Sequence, residues 1–337
     1  MAGNIAVNGL GRIGKLVLRA LVEQGLGDRV VLVNDPAGDA QTHAHLLMFD
    51  TVHGRWDREV ASAPGRLTVD GHGIAVANAA RLEDLPLAAH GVDLVLDCTG
   101  VFKTLAKLQP YLDAGVGRVV VSAPIYEPDV LNIVYGVNHD RYDPARHRVV
   151  TAASCTTNCL APVVKVVRDE LGLRHGTITT VHDATNTQTL VDRPAKDLRR
   201  ARSALNALIP TTTGSARAIA AIYPELEGRL NGHAVRVPLL TGSLTDGVFE
   251  LERPTTAAAV NDLFAQYAEG PLRGILGFES RPLVSSDFCH DPRSAIVDGP
   301  STMVVNGTQL KVYAWYDNEW GFARRMVDIA RMVGEGA

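Results

Sequence analysis

The sequence is short of several things, and each shortage narrows what the chain can be. Four cysteines in 337 residues are too few and too scattered for a disulfide framework. No apolar run approaches the roughly 18 residues that cross a bilayer. Met1-Ala2-Gly3-Asn4 runs straight into Ile5-Ala6-Val7 with no basic n-region or long apolar h-region, so we expect no secretory signal, no membrane insertion and a cytoplasmic protein. Lysine occurs only six times, leaving the basic charge to arginine; codon usage in a G+C-rich genome explains that bias as a whole. A net charge of −4 without a basic stretch gives no general attraction for nucleic acid or an anionic membrane. There is no P-loop, no G-x-S-x-G elbow and no H-E-x-x-H. What remains, 46% hydrophobic and 21% charged, is ordinary globular composition at a length for about two domains.

The first 150 or so residues alternate short apolar runs with helical stretches. Ile5–Asn8, Val30–Asn34, Val92–Asp97 and Arg118–Ser122 read as strands, and Lys15–Gln24 and Lys103–Ala114 as helices. Such alternation implies parallel strands with right-handed crossovers. Between Trp56 and Val76 the pattern is antiparallel, with turns at Pro64-Gly65 and Asp70-Gly71-His72-Gly73. Beyond Val150 the style changes. Cys159–Glu170, Thr256–Glu269 and Ala323–Val333 read as helices, and Thr177–His182 as a strand. Strands near Ala234–Val237, Gly247–Glu252 and Leu310–Trp315 read as one antiparallel sheet, and the boundary falls near Thr151–Ser154. The fold class is therefore α/β: a parallel-sheet domain over 1–153, completed by a C-terminal helix within 318–337, and an α+β domain over 154–317 with a mainly antiparallel sheet.

Gly9-Leu10-Gly11-Arg12-Ile13-Gly14 has the spacing G-x-G-x-x-G, follows a strand and opens a helix. Asp35 ends the next strand, about 20 residues further on. A glycine-rich turn lets backbone approach a pyrophosphate, the helix N-terminus supplies unpaired N–H groups, and the carboxylate accepts from ribose hydroxyls. Asp35 repels a 2′-phosphate and so favours NAD. The bland alternative, a tight turn without a ligand, leaves the agreement of all these parts unexplained.

Ser154-Cys155-Thr156-Thr157-Asn158-Cys159 stands at the start of a helix. Exposed N–H groups and the dipole there favour a thiolate, with the Ser154 and Thr156 hydroxyls able to hold an anion. A small buried cysteine is the competing reading of Cys155, and Cys159, one turn on, fits the core. His182 ends a strand among polar residues; alone it reads as structural, and a Cys/His pair needs the two adjacent in space. Metal ligation is a poor reading: Cys155 and Cys159 have no second Cys/His pair at zinc spacing, and His43 and His45 make no site alone.

Asn8–Gly14, Ser154–Cys159 and Trp315-Tyr316-Asp317-Asn318-Glu319 together resemble the signature segments of phosphorylating glyceraldehyde-3-phosphate dehydrogenases. Ser122-Ala123-Pro124, Gly136–His139, Arg236-Val237-Pro238 and Glu269–Leu272 extend the resemblance nearly end to end. It implies that Cys155 attacks the aldehyde of glyceraldehyde 3-phosphate, with His182 as its ion-pair partner and general base. Hydride passes to NAD, and an inorganic oxyanion cleaves the resulting thioester. By the same resemblance Ser154, Thr156, Thr213, Gly214 and Arg236 hold the attacking anion, and Thr185, Arg200 and Arg236 the substrate phosphate. Without it, Arg199, Arg200 and Arg202 read as a solvated charge run. Gly9, Gly11, Arg12, Ile13, Gly14, Asp35, Ser122 and Asn318 would contact the cofactor.

The family pattern is not followed everywhere. Asn78-Ala79-Ala80 stands where many members carry an arginine, and Phe322 where tyrosine is usual. Arg193 precedes Pro194 where NAD-specific members have an apolar residue, which implies some tolerance of NADP. Asn34–Ala40, Val52–Trp56 and Pro238–Asp246 resemble the branch encoded in bacterial arsenate-resistance operons, whose product 1-arseno-3-phosphoglycerate leaves through an organoarsenical permease. Ordinary glycolytic and erythrose-4-phosphate dehydrogenases are the alternatives within the class. A binding protein with RNA contacts is the alternative outside it. The polar stretch Asp183–Ser203 resembles the loop that packs at subunit contacts, implying a homotetramer.

Overall fold

The computed structural model describes residues 3–335. Met1, Ala2, Gly336 and Ala337, the ends of the expected first domain, lie outside them. The chain divides into two compact units, Met1–Ser154 with Phe322–Ala337, and Cys155–Gly321. No helix among the described residues is long and apolar enough to cross a membrane.

The first unit contains β1 (Asn4–Asn8), α1 (Arg12–Glu23), β2 (Val30–Asn34), α2 (Ala40–Met48), β3 (Phe49–Asp50), β4 (Gly54–Arg55), β5 (Val60–Ala63), β6 (Arg66–Val69), β7 (His72–Ala77), β8 (Val92–Asp97), α3 (Leu105–Asp113), β9 (Arg118–Val121), β10 (Leu131–Asn132) and β11 (Val149–Thr151). Its main sheet runs β10-β11-β9-β8-β1-β2-β7-β6-β5, parallel from β10 through β7 and antiparallel beyond. The hairpin turns sit where the sequence places them. Pro64-Gly65 closes β5 on β6 with Gly65 at φ 70°, and Asp70-Gly71 closes β6 on β7 at φ 47° and 82°.

In α1, Leu16, Val17, Ala20 and Leu21 form the buried stripe. Arg19 is buried beside them because its guanidinium donates to the Leu47 carbonyl at 2.9 and 2.7 Å. α2 was not visible in the sequence; Asp39 caps it, accepting from Thr42 N at 2.8 Å. The chain order around β1 places strands derived from later sequence (β8, β9) on one side and β2, β7 on the other. That reversal opens a crevice at the carboxyl ends of β1, β2 and β8.

The second unit contains α4 (Cys155–Val166), β12 (Leu173–His182), β13 (Ile209–Thr212), α5 (Ser215–Ile222), β14 (Leu230–Arg236), β15 (Ser243–Leu251), α6 (Ala257–Glu269), β16 (Leu276–Glu279), β17 (Ala295–Asp298), β18 (Met303–Val305) and β19 (Gln309–Tyr316). α7 (Trp320–Glu335) follows, passing into the first unit after Gly321. The sheet runs β13-β14-β12-β15-β19-β17-β16, with β18 on β19. Alternating burial along β15 and β19 shows a sheet with one face on the core.

The sheet is mainly antiparallel, as expected, with two exceptions: β12 pairs parallel with β14 and β16 parallel with β17. The long connection between β12 and β14, which includes β13 and α5, permits what a short hairpin cannot. The helix expected from Cys159 starts at Cys155 and is α-helical only to Val166; a π turn over Val167–Leu171 ends it at Gly172, φ 70°.

Candidate active site

The parallel pairing of β12 with β14 sets the register His182↔Arg236 at the carboxyl ends of both strands. Two large polar side chains therefore stand side by side at one sheet edge. An antiparallel pairing would put the ends of the two strands at opposite edges. Cys155, the first residue of α4, completes the group: its Sγ lies 3.7 Å from His182 Nε2. Ala153, two residues earlier, has φ 54°, a left-handed turn that a non-glycine residue adopts at a cost of about 1–2 kcal/mol. Strain of this kind, held by a buried residue just before a candidate nucleophile, is a mark of functional turns.

His182 is 4% exposed and is held from behind. Asp183 Oδ1 lies 2.6 Å from Nδ1, and the Asp183 carbonyl lies 3.0 Å from the same atom. Burial by itself pulls the imidazolium down. The Asp183 carboxylate and the Cys155 sulfur outweigh it, opposed in part by Arg236, and the net pKa rises to about 9. The Asp183 and Cys155 contacts thus favour the imidazolium form, with Nε2 directed at sulfur and Arg236 Nη1 at 2.5 Å from Nδ1 on the other side. Asp183 is fixed in turn: Asn318 Nδ2 donates to Oδ2 at 2.9 Å, and its own N–H donates to Ser243 Oγ at 3.2 Å.

Tyr316 closes the inner wall, edge-on to His182 with ring centroids 6.0 Å apart. Burial keeps its phenol far above the ordinary tyrosine range, so it is neutral and shares a 3.0 Å hydrogen bond with Thr156 Oγ1. Thr156 is thereby turned inward. Cys159 is fully buried, and its thiol donates weakly to the Ala314 carbonyl at 3.8 Å, as a core residue does.

Arg236 and Arg200 supply positive charge. Burial holds Arg236 below the ordinary guanidinium value, with the Arg200 charge a further cause, opposed by Cys155. Its Nη1 donates to the Asp183 carbonyl at 3.1 Å, while its buried Nε has no partner among the described residues. A guanidinium with an unused buried N–H and a second arginine nearby is suited to an anion. Arg200 Nη1 donates to Thr187 Oγ1 at 2.9 Å, and Thr187 shares a 3.0 Å bond with Thr185 Oγ1. The structure therefore gathers Thr185, Thr187 and Arg200. Thr213 instead bonds Ser215 Oγ at 2.8 Å, beside Gly214, the residue that caps α5.

In the first unit, the crevice of about 290 Å³ is lined by residues that include Gly9, Gly11, Asn34, Asp35 and Thr99. Each glycine of the turn has its own reason. A Cβ on Gly9 would meet the Cys98–Thr99 backbone at 2.8 Å, and one on Gly14 would lie 1.8 Å from the Gly9 carbonyl oxygen. Gly11 faces open space, as close approach by a phosphate requires. Asp35 accepts from Leu10 N at 2.9 Å and Ala37 N at 3.0 Å, which binds the glycine turn to the loop after β2. Asn78 donates to the Asp35 and Gly38 carbonyls at 2.9 and 2.7 Å, bracing that loop. Arg12 forms a two-point pair with Asp50, whose carboxyl, despite burial that would raise it, is brought to about 2 chiefly by Arg12.

Residues 3–105 match the NAD binding domain of glyceraldehyde 3-phosphate dehydrogenase, and residues 154–318 match its C-terminal domain. Among similar proteins is glyceraldehyde-3-phosphate dehydrogenase 3 of a Nostoc species, 56% identical over 334 residues that cover 99% of this chain and 98% of the relative. The Streptomyces coelicolor enzyme is 47% identical over 99% of both chains, and that of Geobacillus stearothermophilus 46% over 99% of this chain and 98% of its own. The chain belongs to the glyceraldehyde-3-phosphate dehydrogenase family. It is an NAD-dependent oxidoreductase, and the match to the NAD binding domain, residues 3–105, falls within its first unit.

Within this dehydrogenase the glycine turn, the open face of Gly11 and the Asp35 carboxylate fit the dinucleotide. Gly9, Gly11, Arg12, Ile13, Gly14 and Asp35 would hold its pyrophosphate and ribose. Ser122 N donates to the Asp97 carbonyl at 2.9 Å, at the end of β9. Asn318 supports Asp183, a tie that sequence reasoning did not assign. Asp183, Ser243 and Tyr316 were also missed as parts of the site. Tyr316 lay inside a recognised segment; Asp183, directly after His182, carried no signal of its own.

Proposed function

We propose that this dehydrogenase oxidises glyceraldehyde 3-phosphate through a thioester on Cys155. The observation that carries the reading is the line Cys155 Sγ, His182, Asp183, with Arg236 beside it. A thiol at a helix N-terminus beside an imidazolium is the setting in which thiolate nucleophiles occur. Sγ adds to the aldehyde carbon, and His182 gives its Nε2 proton to the new alkoxide. The imidazole, now neutral, takes the hydroxyl proton back as the hydride leaves carbon, so the two proton movements cancel. NAD, when bound, supplies the hydride acceptor. An oxyanion then attacks the thioester and Sγ departs as thiolate, beside the reformed imidazolium.

Arg236, Arg200 and Thr185 take the 3-phosphate of the substrate, with Ser154, Thr156, Thr213, Gly214 and Arg236 around the attacking oxyanion. Phosphate gives 1,3-bisphosphoglycerate, and arsenate gives 1-arseno-3-phosphoglycerate. The finer reading is the arsenate-detoxifying role beside a permease. It is supported by Asn34–Ala40, Val52–Trp56 and Pro238–Asp246. The last follows Arg236 and is held to the His182 strand end, where Ala184 N donates to the Leu239 carbonyl at 2.9 Å. A homotetramer and some NADP use through Arg193 complete the reading. The test is NAD reduction with glyceraldehyde 3-phosphate while phosphate and arsenate are titrated separately, beside a glycolytic family member. A ratio of kcat/KM values shifted toward arsenate supports the resistance role. A ratio equal to the glycolytic enzyme's assigns ordinary glycolysis. Faster turnover of erythrose 4-phosphate moves the chain to that substrate instead.

A further inference from the structure

Beneath the NAD crevice lies a chain of hydrogen bonds that the reaction above does not use. Ala79 N donates to Asn34 Oδ1 at 2.8 Å, and Asn34 Nδ2 donates to Asn8 Oδ1 at 2.7 Å. Asn8 Nδ2 donates to the Tyr111 hydroxyl, and that hydroxyl donates to Asp97 Oδ2 at 2.8 Å. On the other carboxylate oxygen, Thr99 donates from its hydroxyl at 2.7 Å and its backbone N–H at 3.1 Å. From Ala79 N through Asn34, Asn8 and Tyr111 the linking hydrogen bonds run toward Asp97.

Direction is the informative feature. Burial raises the Asp97 carboxyl, opposed by the hydrogen bonds it accepts from Thr99 and Tyr111, and the Tyr111 proton faces it. The phenol oxygen is then left to accept, which obliges Asn8 to turn its NH2 group inward. Asn8 Oδ1 then accepts from Asn34, whose second N–H goes to the Ala79 carbonyl at 3.1 Å. The Ala79 backbone thus fixes the Asn34 amide from one end, and Tyr111 on Asp97 holds the Asn8 amide from the other. Asn8, Asn34, Ala79 and Thr99 line the crevice, while Asp97 and Tyr111, both 0% exposed, do not.

We infer that Asp97 and Tyr111 are positioning residues for the adenosine half of NAD. They act through Asn8, whose amide they hold from the core side, and Asn8 in turn meets Asn34 in the crevice wall. The inference rests on the crevice being the cofactor's. Asp97 stands at the carboxyl end of β8, the strand that flanks the crevice, and Tyr111 comes from α3, so helix and sheet are tied through a polar contact inside an otherwise apolar core. A core needing only to be filled would take phenylalanine at 111 and leave no hydroxyl to satisfy.

Tyr111→Phe cuts the series, and Asp97→Asn replaces the obligatory acceptor with a group that can face either way. The assay is titration of the purified protein with NAD, followed by protein fluorescence, alongside thermal melts and full steady-state kinetics. The expected result is an NAD dissociation constant raised about tenfold in either variant. The KM for NAD should rise in step, with kcat and the aldehyde KM held. Lower melting temperatures with NAD affinity within about twofold of the parent would make the series a core prop and overturn the inference. If Tyr111→Phe does not fold, Asp97→Asn decides by the same readings. If that too is lost, hydrogen exchange of the Asn8 and Asn34 side-chain amides in the parent decides, with unchanged protection on NAD addition counting against the inference. Failure of the parent itself to bind NAD would instead strike at the assignment of the crevice.

Discussion

Replacing Asp183 with asparagine isolates the charge behind His182 from everything else in the site. The side chain keeps its shape and can still meet Asn318 and Ser243, but faces Nδ1 with no negative charge. The distance from the ordinary 6.5 to about 9 corresponds to ~3 kcal/mol favouring the imidazolium. Asp183 is the foremost of the groups that raise it, and a charge-assisted hydrogen bond carries about 1.5–3 kcal/mol. Its loss should therefore lower the His182 pKa by about one to two pH units. The assay is the pH dependence of kcat/KM between pH 6 and 10, with an NMR titration of the His182 ring as the direct readout. The alkaline limb of Asp183→Asn should move acid-ward by that amount, with activity at pH 8.5 down about tenfold. Stability carries the same signature. A raised folded pKa contributes fully below about 6.5 and loses its contribution as pH rises through about 9. The variant's deficit in denaturant should accordingly be largest near pH 6 and shrink toward pH 10. An alkaline limb that stays in place would refute the assignment of Asp183 as the group that charges His182.

Three further outcomes follow from particular contacts. Gly14→Ala places a methyl 1.8 Å from the Gly9 carbonyl, so the turn must open; NAD affinity should fall by more than about tenfold in a fluorescence titration. Asp50, whose carboxyl is held at about 2 chiefly by Arg12 against its own burial, contributes stability above about pH 4 that disappears as pH falls through 2. Asp50→Asn should thus cost about 1–2 kcal/mol in urea at pH 7 and progressively less on acidification. Arg236→Lys keeps the charge but loses the planar fork, and should raise the KM for glyceraldehyde 3-phosphate and for the oxyanion about tenfold each, measured by initial rates.

The glycine turn was legible in the sequence because local backbone geometry and a fixed spacing carry it. Gly14 is excluded from bearing a side chain by a contact within one strand–turn–helix, and Gly9 carries a positive φ of 90° in the same turn. The hairpins at Pro64-Gly65 and Asp70-Gly71 were legible for the same reason. Strand direction in the second unit was not. Whether β14 runs with or against β12 depends on the long connection that includes β13 and α5, and that is not encoded in the period of either strand. Yet that direction brings His182 to Arg236. Asp183 was hidden by its position, since a carboxylate directly after a candidate histidine reads as a loop residue until the backbone turns it onto Nδ1. α2 was hidden because Thr42, His43 and His45 blur its apolar stripe and because its cap, Asp39, lies in a run rich in turn residues. Tyr111 was predicted within a helix, but only the structure joins its hydroxyl to Asp97.

The proposed reaction passes through a covalent thioester on Cys155. Its most direct test is to mix the dehydrogenase with NAD and glyceraldehyde 3-phosphate in the absence of phosphate and arsenate, quench with acid, and map the adduct by mass spectrometry. The expected result is a burst of NADH near one per site and a phosphoglyceroyl adduct on the peptide bearing Cys155, discharged on adding either oxyanion. NADH formation with Cys155 unmodified, or with the adduct on Cys159 in its place, would contradict it.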